Sequence, residues 1–160
     1  MSEEKKYTLE EAHLAFAKQM NGRVWELLGA SPRSEAEDLE MVHAAHASLS
    51  HWLHVGTPVH HQRGEWLISR VYTVLGYKDA ALRHAKRCLD LTETHEEIME
   101  DFDLAYAYEG MARALALSGS KEEAEEFKER AQQAGEEIGD HEDQSLFFSD
   151  LEGGPWYVLE

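Results

Sequence analysis

The sequence predicts an all-α fold: three stacked antiparallel helix hairpins closed by a C-terminal capping segment. Three observations carry that reading. Helix-start signals recur along the chain, with Thr8 and Glu11, Ser34 and Glu37, and Ser120 and Glu123 at the spacing of a capping box, in which each residue satisfies a free backbone N–H of the other. The three prolines, Pro32, Pro58 and Pro155, all stand where a helix could not continue. No alternating β-branched run separates these signals, so nothing reads as a strand.

The first helix is expected over 8–28, from the Thr8 cap to Gly29, and the insert Ala30-Ser31-Pro32-Arg33 delays the second to 34–55. A third helix over 59–75 follows Pro58 and ends at Gly76, and a fourth runs over 77–92. The fifth, 94–118, opens on Glu96, Glu97, Glu100, Asp101 and Asp103, acids that favour the positive end of a helix dipole. The sixth spans 120–138. Gly29, Gly56, Gly76, Gly119 and Gly139 are read as stops, because glycine tolerates the left-handed turn that ends many helices. The acidic stretch 140–150 accommodates a short seventh helix. Residues 1–160 thus form one domain, with helix pairs at about 8–55, 59–92 and 94–138 and a cap or tail over 140–160.

An internal repeat supports the pairing. Arg23-Val-Trp-Glu-Leu-Leu-Gly29 recurs as Arg70-Val-Tyr-Thr-Val-Leu-Gly76 and, more loosely, as Arg113-Ala-Leu-Ala-Leu-Ser-Gly119. Self-similarity on this scale is a signature of stacked helical hairpins. Residues 63–92, with Trp66, Ile68, Tyr72, Gly76, Ala81, Cys88 and Leu89, resemble a tetratricopeptide repeat, and 106–135, with Tyr108, Met111, Ala112, Leu115, Gly119, Ala124 and Ala131, are similar. The resemblance implies a right-handed superhelix whose first helices line an inner face, with Ser69, Ala81 and Cys88 at close helix contacts. The first pair, 8–55, departs from the pattern, and the family's usual lysine and asparagine clamp is not reproduced.

Charge excludes several partners. The net charge is −17, and a surface this acidic repels nucleic acid and anionic lipid, both of which are held by clustered lysine and arginine. A single cysteine, Cys88, cannot form an intramolecular bridge. The opening Met-Ser-Glu-Glu-Lys-Lys-Tyr lacks the apolar stretch of a secretory signal, and no run is long and apolar enough to span a membrane, so the cytoplasm is the expected compartment.

Three constellations bear on function. On the inner face that the resemblance implies, Arg23, Arg70 and Arg113 share a register, and Arg63, Trp66, Arg70 and Thr73 share one side of the third helix. Such a basic, partly aromatic strip predicts a non-catalytic groove for a protein or peptide, with an acidic, carboxylate-bearing one suited to arginine forks. The competing expectation is that these arginines pair internally with Glu26, Glu65 or Glu109. A second function class is a histidine-based metal-binding protein or metalloenzyme, because His43, His46 and His54 fall on one side of the second helix beside Glu40. Glu40 and His43 form a Glu-x-x-His, the type of pair found in di-iron helix bundles, but no cofactor is expected. No nucleophile elbow or phosphate-binding glycine loop occurs. Third, the apolar tail Phe147, Phe148, Leu151, Trp156, Tyr157, Val158 and Leu159 predicts a lid with Trp156 buried, in cis or locking a homodimer, its acidic Asp150, Glu152 and Glu160 reaching the inner arginines.

Overall fold

The computed structural model describes residues 2–160. Seven α-helices and two 3₁₀ turns make up the fold, without a strand among the described residues. The helices are α1 (Leu9–Leu28), α2 (Glu35–Val55), α3 (Pro58–Leu75), α4 (Lys78–Thr94), α5 (Asp101–Leu117), α6 (Lys121–Glu136) and α7 (His141–Glu152). They pack as hairpins, α1 on α2, α3 on α4 and α5 on α6. Consecutive hairpins meet through α2 on α3, α4 on α5 and α3 on α5. Helix α7 and the turn Tyr157–Leu159 lie against α5 and α6.

Local chemistry sets most of the helix ends. Ser34 and Glu37 form the full reciprocal box, and Thr8 accepts from the Glu11 N–H at 3.1 Å. Ser120 makes no side-chain cap bond, so that expected box is absent. Pro58 starts α3 at the position where its missing N–H costs nothing. Of the five expected glycine stops, only Gly76 and Gly119 adopt the left-handed conformation, with φ of 85° and 82°. The largest departure lies before α5, which starts at Asp101 instead of 94. A 3₁₀ turn over Glu96–Ile98 intervenes, and the Asp103 carboxylate accepts from the Glu100 N–H at 2.9 Å, which pins the helix start there.

Two apolar clusters hold the stack. One joins α1, α2 and α3 through Val24, Leu27, Met41, Leu49, Ile68 and Val71. The other joins α4 to the tail through Met111, Leu115, Phe147, Leu151 and Trp156, and Tyr72 packs against both. Small residues set the close approaches. Ser69 donates to the Ala81 carbonyl at 2.9 Å, and Cys88 is buried nearby on α4. Helix α5 is buried on nearly every side, which is why Ala105, Ala107, Ala112, Ala114 and Ala116 occupy it.

Two predictions arise from this packing. A methyl group on Gly135 would stand 2.5 Å from Cε1 of fully buried Phe147 and 2.9 Å from Phe148. Alanine ordinarily favours a helix over glycine by about 1 kcal/mol. Here Gly135→Ala is expected to destabilise instead, by about 1–2 kcal/mol, because α7 must shift to admit it. A urea midpoint at or above wild type would refute this. Burial also pushes the Cys88 thiol well above its ordinary value. Cys88 should therefore resist a disulfide-exchange reagent in the native state and react stoichiometrically after unfolding.

Candidate functional site

One turn from each of four helices encloses a cleft of about 400 Å³. Helix α1 contributes Asn21 and Trp25, α3 contributes Gln62, Arg63, Trp66 and Leu67, α5 contributes Phe102, Asp103 and Tyr106, and α7 contributes Leu146 and Asp150. The recurring spacing of four residues places each pair on one helix face. The walls are aromatic. Trp25 stacks on Trp66 at 5.9 Å between ring centroids, and Tyr106 meets Trp66 edge-on at 5.4 Å. The mouth is open, for Trp25 remains 49% and Leu146 59% exposed. A second cavity, of about 440 Å³, is lined by Glu93, Glu96, Glu100, Asp101 and Glu137 around Leu104 and Tyr108, and lacks such an aromatic wall.

The five sequence-selected residues divide into three groups. Arg63 and Trp66 line the aromatic cleft. Arg70 and Arg113 lie together under the C-terminal tail, where Arg70 donates to the Gly154 carbonyl and Arg113 to the carbonyls of Asp150 and Pro155. Arg23 turns toward α2 and pairs with Glu40, with Glu26 adding a second carboxylate.

Most of this positive charge is engaged internally. Arg63 forms a two-pronged pair with buried Asp103 at 2.9 and 3.1 Å. Arg113 pairs with Glu109, both buried, and the other oxygen of Glu109 accepts from the Trp66 indole at 2.9 Å. Arg70 has no carboxylate within ion-pair reach among the described residues, and its Nη1 is buried without a hydrogen-bond partner. Burial and the neighbouring Arg113 hold its pKa below the ordinary arginine value. Glu65, which the sequence offered as an arginine partner on this face, instead bonds His84 and Arg87 of α4.

The tail is ordered against the body, and Trp156 is 5% exposed. Its indole donates to the Leu151 carbonyl at 3.0 Å, while Arg113 and Lys128 approach its ring at 4.0 and 4.2 Å. The expected contact through acidic side chains is not the one made. Backbone carbonyls reach the arginines, the Asp150 carboxylate accepts from Tyr106, and Glu160 caps the Trp156 N–H at 2.8 Å. Sequence reading missed Trp25, Gln62, Phe102 and Tyr106. Their i,i+4 spacing on α1 and α5 was readable, but which face met the cleft depended on the packing of α1, α3 and α5.

The histidines separate. His43 is exposed, His46 bonds the Tyr72 hydroxyl at 2.8 Å, and His54 stacks on His13 of α1 at 4.1 Å. Among the described residues no group of three or more His, Cys, Asp or Glu is placed to hold a metal ion. Burial lowers the pKa of His46, and the neighbouring His84 acts in the same direction. A histidine lowered in the fold binds its proton more readily when unfolded, so its contribution is present above the ordinary value of about 6.5 and lost as pH falls below it. The melting temperature should therefore drop between about pH 7.5 and pH 5.5, and by less in His46→Gln. An equal drop in the variant would exclude His46 as a source.

No helix is long and apolar enough to cross a membrane among the described residues. Comparison with known proteins finds no match: no protein-family model, curated protein or solved structure matches the chain.

Proposed function

We propose that the protein is a non-catalytic binding module of tetratricopeptide-like architecture that holds a peptide segment of a partner on its inner face. The observation that carries this reading is the aromatic cleft. Its size falls in the range of side-chain and small-ligand pockets, and its walls come from three successive first helices and α7. Rigid aromatic rings supply large contact area with little loss of conformational freedom, which suits them to anchor a partner. The half-exposed Trp25 has no structural partner that explains an indole at the surface beyond its stacking on Trp66.

The groove of this reading is shorter than the basic strip drawn from the sequence. Its working part is Trp25, Arg63, Trp66 and Tyr106, while Arg70 and Arg113 serve the tail that covers them. Arg23 lies on the flank. Selection of random peptides on the immobilised protein tests the proposal. Peptides so selected should shift the indole N–H resonances of Trp25 and Trp66, and Trp25→Ala should weaken them about tenfold or more while leaving the melting temperature nearly unchanged. Peptides that move neither indole, or bind Trp25→Ala equally well, would sink it.

A further inference from the structure

We infer that the cleft takes the cationic head of a basic side chain, arginine or lysine, carried by a basic peptide segment. The inference rests on peptide binding through this cleft and adds the chemistry of what enters it. Four aromatic rings, Trp25, Trp66, Phe102 and Tyr106, contribute to one cavity. Ring faces carry negative potential, and a cation held among several of them is attracted more strongly as it loses water. The protein already uses this contact in its own structure, for Arg63 lies 5.1 Å from the centre of the Phe102 ring.

Charge points the same way. Arg63, Asp103 and Asp150 are the charged residues of the lining, and the first two neutralise each other. Asp150 has no ion-pair partner among the described residues, and Tyr106 donates a hydrogen bond to one of its oxygens. Burial and that carboxylate push the Tyr106 phenol well above its ordinary range, so it stays a donor and leaves Asp150 as the negative charge. Among the lining residues, Gln62 also carries a buried acceptor that the fold leaves unused. Gln62 is 1% exposed, its amide N–H₂ donates to Thr92 and to the Asp103 carbonyl, and its Oε1 has no donor. A guanidinium or ammonium group brings the N–H donors that a carboxylate ligand lacks. Beyond the cleft, a net charge of −17 draws basic segments toward the molecule and repels acidic ones. Of the arginines that favoured an acidic ligand in sequence, Arg23, Arg63 and Arg113 are committed to Glu40, Asp103 and Glu109, and Arg70 lies under the tail outside the cleft lining.

The test uses the full chain and three matched peptides, Gly-Ser-Gly-X-Gly-X-Gly-Ser-Gly, with X as arginine, as its neutral isostere citrulline, or as glutamate. The arginine peptide should shift the Trp25 and Trp66 indole resonances and bind about tenfold more tightly than the citrulline peptide, with no saturable binding of the glutamate peptide. Asp150→Asn should reduce the arginine-to-citrulline ratio to about threefold or less. Glu125→Gln, which removes an exposed carboxylate of α6 outside the cleft lining, should leave that ratio unchanged. Equal binding of arginine and citrulline peptides, tighter binding of glutamate, or an equal loss in Glu125→Gln would overturn the cationic assignment and leave peptide binding standing. Failure of all three peptides to move either indole would remove both.

Discussion

Replacing Arg113 by methionine is expected to destabilise the protein by about 3–5 kcal/mol, the range found when one partner of a buried ion pair is removed. The side chains of Arg113 and Glu109 are each only 2% exposed. Methionine fills similar space, so the cost arises from charge and hydrogen bonding more than from a void. Glu109 would keep only the Trp66 indole as a donor, the Pro155 carbonyl would lose its arginine donor, and the Asp150 carbonyl would keep only the Gly153 N–H. Trp156 would lose the guanidinium that lies 4.0 Å from its ring. A double variant distinguishes these sources. If the buried charge dominates, Glu109→Gln combined with Arg113→Met should be more stable than the sum of the two single losses predicts, by about 1–3 kcal/mol. Additive losses would place the effect in the tail contacts instead. Urea denaturation followed by circular dichroism reads both. A loss below about 1 kcal/mol in the single variant would contradict the burial of the pair.

That pair explains why a basic strip in sequence becomes a structural device in space. Arginines six residues before a terminal glycine repeat along the chain, and sequence alone identifies their register. What each one meets depends on helices distant in the chain. Arg23 finds Glu40 on α2, Arg63 finds Asp103 on α5, and Arg113 finds Glu109 one turn earlier on its own helix. Glu109, at i,i+4, and Glu26, which adds a second carboxylate to Arg23 at i,i+3, were legible locally. Asp103 shows the limit most clearly. Among five acids before and within the start of α5, nothing local distinguishes the one that turns inward to bond Arg63 and cap Glu100. The hairpins were legible because helix starts, glycine stops and helical periodicity are short-range signals. The cleft was not, because its four aromatic rings come from three helices whose relative positions are set by packing.

The histidine helix followed the same rule. Helical periodicity put His43, His46 and His54 on one side of α2, yet a helix face that meets two neighbours sends its members to different environments. His46 turns to Tyr72 of α3, His54 meets His13 of α1, and His43 faces solvent. Shared register on one helix is therefore weaker grounds for a ligand set than shared register across helices.

Truncation after Asp150 is expected to lower stability by about 3 kcal/mol or more, equivalent to a fall in melting temperature of roughly 6–12 °C for a chain of this size. Burial of Trp156 alone contributes about 2–3 kcal/mol of that, and Leu151, 3% exposed, adds to it. The carbonyls of Gly154 and Pro155 would leave with the segment, so Arg70 and Arg113 would each lose an acceptor. The Tyr157 hydroxyl would no longer donate to the Thr73 carbonyl of α3, a bond that ties the tail to the middle hairpin. Each loss uncovers part of the face shared by α3, α5 and α6, and apolar surface there would favour association. The truncated protein should accordingly elute earlier on size exclusion as concentration rises, while the full chain does not shift. Removing the lid also opens the two arginines to solvent and to anions. A glutamate-bearing peptide, rejected by the intact chain, should then gain measurable affinity, and Arg70→Gln in the truncated background should abolish it. That contrast separates the lid from the cleft. Trp25 and Tyr106 lie outside the removed segment, so the arginine peptide should keep its preference over citrulline in the truncated chain. An unchanged melting temperature would show that the tail is not a lid. An intact lid effect with no gain for the glutamate peptide would show that the tail covers the arginines without occupying a site that a ligand can use.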